Sequence, residues 1–187
     1  MTICIAAIGK DEKGNEFIVF ATDHMVSIGD LGQFEKTISK YKVVNNNTVT
    51  MLSGNPLIFD AVIHECKNCH SYKDVKDSIF TNLCKVKDEQ IKNQILNTYK
   101  IDFDYIKEIL KGSVQNKFID NALMSISTHT LESIVLLIGF DQHLAQITEI
   151  GEIGMLDFRD IDFGCICSGA VQAMNTLLFQ SIVKMTR

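Results

Sequence analysis

Apolar positions before Gly54 predict four strands, and two of these strands are almost continuously apolar. A polar stretch at 10–15 ends in Gly-Asn, a combination typical of a hairpin connection, and Asn45-Asn46-Asn47 favours a second tight turn. Near-continuous apolar strands are expected to be buried on both faces, because a one-sided sheet alternates apolar and polar residues. The predicted strands are 3–8, 17–21, 40–44 and 48–52.

After Gly54 the apolar spacing becomes helical. Ile58, Val62, Cys66 and Cys69 share one stripe, and similar spacings continue through 75–99 and 105–110. Strand character returns further along, and the last segment is again helical. The predicted strands are 132–140, 145–150 and 162–168, and the predicted helix is 170–185. Strands, helices, strands and a helix in this order predict an α+β layered fold in a single domain, 1–187.

Composition narrows the function classes. Hydrophobic residues make up 46% of the chain, which is ample for a packed core. The 18 basic and 23 acidic residues give a net charge of −5, which argues against nucleic acid or an anionic membrane as the main partner. No apolar run approaches the ~20 residues of a spanning helix, and the start of the chain lacks a basic export signal. A cytoplasmic protein with six reduced cysteines is therefore expected.

Thr2 is a candidate nucleophile. It follows the initiator Met1, and removal of that methionine would leave a threonine with a free α-amine. The hydroxyl could then act as nucleophile with its own amine as base, since an α-amine titrates near ~7.7–8.0.

An ordered set of short motifs resembles the proteasome β-subunit family, including its bacterial heat-shock relative that also starts Met-Thr. The resemblance covers residues 2 to about 185. It implies the four-layer αββα sandwich of N-terminal nucleophile hydrolases, here without the family's usual C-terminal helix and strand. The motifs are Ala21-Thr22-Asp23, Ser27-x-Gly29, Phe34-Glu35-Lys36-Thr37-Ile38, Leu52-Ser53-Gly54-Asn55, Leu136-Leu137-Ile138-Gly139-Phe140-Asp141 and Cys167-Ser168-Gly169-Ala170.

The resemblance implies a role for each of five residues. Thr2 would be the nucleophile, and Lys36 would lie next to its hydroxyl and favour its ionisation. Asp23 would pair with that lysine. The backbone N–H of Gly54 would form the oxyanion hole, and Ser168 would hydrogen-bond the Thr2 amine.

One of these assignments has a rival. Lys40 follows Asp23 by 17 positions and could take the place of Lys36. Lys36 is preferred because Glu35-Lys36-x-Ile38 matches the family's local sequence, whereas Lys40 falls inside a predicted strand.

The function implied by the resemblance is that of a threonine-type endopeptidase subunit that cleaves unfolded polypeptides through an acyl-enzyme. Such subunits form homo-oligomeric rings, with a regulator or an unfolding ATPase as a possible partner, and need no metal or organic cofactor. Two alternatives stay open: a non-catalytic structural subunit of a similar ring, and an amidohydrolase of the same superfamily that acts on small molecules.

The cysteines also match patterns for haem attachment and for zinc binding, but the evidence for these sites is weaker. Cys66-Lys67-Asn68-Cys69-His70 matches the attachment motif of c-type haem, and His64 and Cys84 lie near enough in sequence to suggest zinc. Both cysteines of the motif fall on the apolar stripe, so burial in the core is the better interpretation. Cys165 and Cys167 are expected to face the same side of one strand, also in the core.

Overall fold

The computed structural model describes the backbone of residues 3–23, 25–27, 33–35, 40–112 and 116–185, and the side chains of these residues apart from 25–27, 33–35 and 180–185. The strands in these ranges are β1 (Cys4–Lys10), β2 (Glu16–Thr22), β3 (Met25–Ser27), β4 (Gln33–Glu35), β5 (Tyr41–Asn45), β6 (Thr48–Ser53), β7 (Ile134–Asp141), β8 (Leu144–Gly151), β9 (Gly154–Asp157) and β10 (Phe163–Ile166). The α-helices are α1 (Pro56–His64), α2 (Tyr72–Gln90), α3 (Asn97–Tyr99), α4 (Phe103–Lys111), α5 (Lys117–Thr128) and α6 (Ala170–Met185).

The strands form two larger antiparallel sheets and a short β3–β4 pair. One sheet has the strand order β10-β1-β2, and the other has the order β5-β6-β7-β8-β9. The predicted hairpin at 10–15 is confirmed, with Lys10 opposite Glu16 and the Asp11 carboxylate accepting the backbone N–H groups of Lys13 and Asn15 at 2.8 Å. The predicted turn at Asn45–Asn47 joins β5 to β6.

The two larger sheets pack face to face, and β7 lies at the centre of the fold. Its side chains alternate between two buried clusters, as the period-two geometry of a strand requires. One cluster fills the space between the sheets: Cys4, Ala6, Met51, Leu136, Ile138, Ile147 and Ile166. The other lies between the five-stranded sheet and helices α1 and α2, and it includes Val135 and Leu137 from β7.

Burial on both faces was expected for the first two strands. In β1 every residue from Cys4 to Gly9 is at least partly buried, but the expectation is wrong for β2. Ile18 and Phe20 pack against the cluster between the sheets, whereas Phe17 and Val19 are 44% and 59% exposed. β2 is the last strand of its sheet in the order β10-β1-β2, and only one of its faces packs on the core. An unbroken apolar run therefore does not distinguish a one-sided strand from one buried on both sides.

Helices pack against both of the larger sheets. α1 begins after Asn55, whose side chain accepts the N–H of Leu57, and Pro56 occupies its first position. α2 begins with a capping box of Ser71 and Asp74 and continues through a π-helical segment, Ile91–Leu96, into α3. α6 packs beside β10 and β1. The α+β prediction is confirmed by this mixture of elements.

Four elements have no counterpart in the sequence prediction: β3, β4, α5 and β9. α5 ends in a Ser- and Thr-rich turn with weak helix propensity, and the hydroxyls of Ser125 and Thr128 bond back to helix carbonyls. β9 has only four residues and an exposed apolar surface at Leu156, so neither its length nor its pattern is typical of a strand. Among the described residues, no helix is both long and apolar enough to cross a membrane.

Candidate functional site

Asp23 lies where β2 ends, beside the first described residue of the chain. The register of the β1–β2 hairpin sets Cys4 opposite Thr22, so Ile3 and Asp23 extend the ladder by one pair. The N–H of Asp23 donates to the Ile3 carbonyl at 3.2 Å, and the N–H of Ile3 donates to Asp23 Oδ2 at 3.2 Å. The carboxylate of Asp23 therefore helps to fix the backbone immediately after Thr2.

The other oxygen of the same carboxylate pairs with a lysine. Lys40 Nζ forms an ion pair with Asp23 Oδ1, and the two side chains are only 14% and 22% exposed. Lys40 directly precedes β5, and its carbonyl accepts the N–H of Leu52 at 3.1 Å. A charge-assisted contact that is partly shielded from water is stronger than an ordinary surface ion pair.

The structure thus gives Asp23 the rival lysine as its partner. The objection to Lys40 was its expected position inside a strand, but β5 begins one residue later, at Tyr41. A residue at the edge of the sheet can point to a neighbouring sheet without breaking the strand alternation. Lys36, like Thr2, lies outside the described residues.

Gly54 follows the last residue of β6 and has a left-handed φ of +115°. A Cβ at this position would lie 2.2 Å from the carbonyl oxygen of Glu132 and 2.8 Å from Ser133 Cα. The buried Ser133 hydroxyl accepts the N–H of Asn55 at 3.2 Å and donates to the Leu131 carbonyl at 3.1 Å. Both the backbone conformation and the crowding require glycine here.

Ser168 lies in the turn between β10 and α6 and is exposed. The preceding residue, Cys167, has its sulfur 4.0 Å from the carbonyl oxygen of Leu52, two residues before Gly54. Cys167 also lies within the electrostatic influence of Lys40 and Asp23.

Five separate segments of the chain therefore meet at the start of β1: the segment at Ile3, the end of β2, the residue before β5, and the two turns that follow β6 and β10. Three of the predicted site residues, Asp23, Gly54 and Ser168, belong to these segments. A lysine ammonium can stabilise a developing alkoxide near it, and a backbone N–H can stabilise an oxyanion.

An open cleft of about 660 Å³ lies beside this meeting point. Ser53 and Ser133 are among its lining residues, and its walls are mostly apolar, with Met155 and Leu156 among them. Glu149 also lines the cleft, and burial raises the pKa of its carboxyl. The cleft is large enough for a side chain of a polypeptide.

No protein-family model matches the chain, and no curated protein matches it. Among solved structures, the fold is similar to the crystal structure of eukaryotic HslV from Trypanosoma brucei, with a TM-score of 0.46 and 13% sequence identity. That match covers 90% of this chain and 73% of the other.

Cys66 and Cys69 belong to the core cluster beneath α1 and α2, as expected. Cys66 is buried, its thiol donates to the Val62 carbonyl at 3.4 Å, and burial raises its pKa. Cys69 is partly buried against the same cluster. In the part of the chain that the structure describes, no three His, Cys, Asp or Glu side chains are grouped as metal ligands would be.

Cys165 and Cys167 both pack in the core, as expected, but the expectation that they share one face of a strand is wrong. β10 ends at Ile166, and Cys167 has a left-handed φ of +85°, so the strand alternation stops between the two cysteines. Cys167 packs with Ile166 and Cys4 in the cluster between the sheets, while Cys165 is buried outside that cluster. A short strand followed by a left-handed residue cannot be read from an apolar pattern.

Sequence reasoning also missed Cys4 and Ser53 as neighbours of the site. A signal was available, because Cys4 is two residues from Thr2 and Cys167 is adjacent to Ser168. If the candidate residues converge, their chain neighbours have to converge with them.

Proposed function

We propose that the chain is a threonine-type endopeptidase subunit of the proteasome β type. Thr2 is its nucleophile after removal of Met1, and Asp23, Lys40, Gly54 and Ser168 complete the site. The substrate is an unfolded polypeptide that lies along the cleft beside Gly54.

One observation carries this proposal. The Asp23 carboxylate holds the backbone of Ile3 with one oxygen and the ammonium of Lys40 with the other. Thr2 directly precedes Ile3 in the chain, so these contacts hold the residue that follows the proposed nucleophile. An ion pair with a purely structural role could lie anywhere on the surface. This ion pair adjoins Ile3, which directly follows the proposed nucleophile in the chain.

The proposed reaction has two halves. The Thr2 hydroxyl adds to the substrate carbonyl as its α-amine accepts the proton, and the Lys40 ammonium favours the alkoxide. The N–H of Gly54 stabilises the tetrahedral oxyanion. The protonated amine then donates to the leaving nitrogen, the C–N bond breaks, and an ester on Thr2 remains. Water, deprotonated by the same amine, hydrolyses that ester, and Ser168 orients the amine in both halves.

The packing of the two sheets is consistent with the four-layer αββα sandwich of N-terminal nucleophile hydrolases. α1 and α2 cover the five-stranded sheet, and α6 packs against β10 and β1. We propose a homo-oligomeric ring as the working assembly, with a regulator or an unfolding ATPase as its partner. Native mass spectrometry should show one oligomer whose mass is a whole multiple of 21.0 kDa. A monomer at micromolar concentration would contradict the ring.

The first test is covalent labelling. The natively expressed protein is incubated with a peptide epoxyketone, and its intact mass and adduct position are determined. This probe closes a ring on a threonine hydroxyl and α-amine, so the expected result is one added probe mass on Thr2 and loss of Met1. Thr2→Ala should abolish the adduct. An unlabelled protein that cleaves no peptide would favour the structural-subunit alternative, and an unlabelled one that hydrolyses small amides would favour the amidohydrolase.

A second test separates the two lysines. Lys40→Met and Lys36→Met remove the same charge and keep a similar length of side chain. If Lys40 is the site lysine, the first variant should label at least ~10²-fold more slowly, a loss typical of removing one electrostatic contributor, and the second should label at the wild-type rate. The opposite pattern would return the role to Lys36.

A further inference from the structure

Two thiols lie in direct contact beneath the candidate site. The sulfurs of Cys4 and Cys167 are 3.6 Å apart, and both approach the carbonyl oxygen of Leu52, at 3.8 Å and 4.0 Å. Cys4 is fully buried and Cys167 is partly exposed. Both cysteines are reduced in this structure.

The fold creates this contact between residues 163 positions apart. β1 and β10 pair with Cys4 opposite Ile166, so a regular strand would carry Cys167 to the other face. The left-handed φ of Cys167 turns the chain at that point and brings its sulfur to Cys4. Cys165, which lies opposite Ile5, has no such contact with Cys4 among the described hydrogen bonds.

The two thiols have different environments. The hydrogen bond with Cys4 lowers the pKa of Cys167, and Ser53 and the Lys40 ammonium act in the same direction, against burial and the Asp23 carboxylate. The same hydrogen bond, together with burial, raises the pKa of Cys4. Cys167 is thus the thiol that ionises more readily and that solutes in the solvent can contact. Cys4 is the buried thiol beside it, close enough to react with it in a second step.

We propose that Cys4 and Cys167 form a redox-active dithiol that reacts with hydroperoxides and closes to a reversible intramolecular disulfide. The Cys167 thiolate attacks one peroxide oxygen, the O–O bond breaks, and an alcohol or water leaves after taking up a proton. The Cys4 sulfur then attacks the resulting sulfenic acid, the S–O bond breaks, and water leaves. Two electrons pass from the sulfurs to the peroxide. The sulfurs need to approach by about 1.5 Å to reach the length of a disulfide bond.

Peptide mapping of the oxidised full-length protein tests this proposal. The native protein is treated with hydrogen peroxide, denatured, alkylated without reductant and digested with trypsin. The peptide that ends at Lys10 carries Cys4 as its only cysteine, and the peptide 160–184 carries Cys165 and Cys167. The expected product is the linked pair, two hydrogens lighter than the sum of its parts and lost on reduction. Fragment ions between Cys165 and Cys167 locate the bond.

Two variants serve as matched controls. Cys165→Ser changes the neighbouring cysteine on the same peptide and should leave the link unchanged. Cys4→Ser should stop the reaction at a Cys167 sulfenic acid, which dimedone traps.

Two results would overturn the proposal: recovery of alkylated Cys4 while Cys167 proceeds to sulfinic acid, or loss of the link in the Cys165→Ser protein. The wild-type map decides the question even if the Cys4→Ser protein does not fold.

Discussion

Asp23 uses one carboxylate for two contacts, one to the Ile3 backbone and one to the Lys40 ammonium. The two contacts can be separated by substitution. Asp23→Asn keeps an oxygen that accepts the Ile3 N–H but removes the charge that Lys40 pairs with. Asp23 therefore contributes to the site in two separable ways: it holds the backbone of Ile3, and it balances the charge of Lys40.

A double-mutant cycle should measure the strength of the pair. Asp23→Asn leaves a lysine ammonium that is 14% exposed without its counter-charge, and we expect it to cost about 1–3 kcal/mol of unfolding free energy. In a protein that already carries Lys40→Met, Asp23→Asn should lower the unfolding free energy by a smaller amount. The difference between the two losses is the coupling energy of the pair, and we expect about 1–2 kcal/mol from urea unfolding. Additive single effects would show that the two groups do not stabilise each other.

Gly54→Ala should be strongly destabilising, by about 3 kcal/mol or more. The new methyl group would meet the Glu132 carbonyl at 2.2 Å in addition to the strain of a left-handed φ. Gly14→Ala is the matched control, since its φ is +83° but no atom lies within 4 Å of the added carbon. It should cost only about 1 kcal/mol in the same unfolding assay. Equal losses at both positions would mean that crowding at Gly54 is relieved by movement of the backbone.

Sequence alone identified candidate site residues but not the contacts that they make, and the catalytic roles of these residues stay predictions. Asp23, Gly54 and Ser168 were identified by motif, and the structure places them in segments that meet. The partner of Asp23 depended on where β5 begins, a matter of one residue, and boundaries are the least certain part of any sequence-based reading. The dithiol depended on one left-handed residue, Cys167, for which the sequence carries no signal because cysteine seldom adopts that conformation.

At the scale of elements, a salt bridge links the two edge strands of the three-stranded sheet, β10 and β2. Arg159, in the turn before β10, makes a two-point contact with Glu16 at the start of β2, with both N–O distances 2.9 Å. Glu16 also accepts the N–H of Ala145 at 2.8 Å. The hydrogen bond from Arg159 and that from Ala145 lower the pKa of Glu16 to about 2, from an ordinary value of 4.5.

This lowered pKa predicts acid sensitivity. The folded state holds Glu16 ionised more strongly than the unfolded chain does, so its contribution is complete above pH 4.5 and is lost as the pH falls towards 2. Glu16→Gln should lower the urea midpoint at pH 7 and flatten its decline between pH 4.5 and 2. A variant whose midpoint falls in parallel with the wild type over that interval would assign the acid sensitivity to other carboxylates.

The hairpin, the main helices and the central strands were predictable because each follows from local periodicity or turn chemistry. The exposure of Phe17 and Val19 was not, because an apolar run gives no information on how many faces are covered. α5 and β9 were missed for a related reason: their order comes from packing and sheet pairing, and their local propensities are weak.

At the scale of the whole molecule, β7 is shared by both buried clusters. Leu136 faces the cluster between the sheets and Leu137 faces the helices, and both are fully buried. Leucine-to-alanine changes at either position should cost about 2–5 kcal/mol. Because one strand carries both residues, both variants should show a single unfolding transition at a lowered midpoint, by far-ultraviolet circular dichroism and by intrinsic tyrosine fluorescence alike. Two separate transitions in either variant would show that the sheets unfold independently.

The pairing of β1 with β10 has a consequence for biosynthesis. β1 leaves the ribosome first, but its partner Ile166 lies 162 residues behind Cys4. At ~5–20 residues per second, β1 and β2 wait roughly 10–30 s as a lone hairpin, which is marginally stable in water. The three-stranded sheet therefore closes only after β10 has also been synthesised. During that interval the nascent chain exposes one of its most apolar segments, and this makes it a natural client of ribosome-bound chaperones.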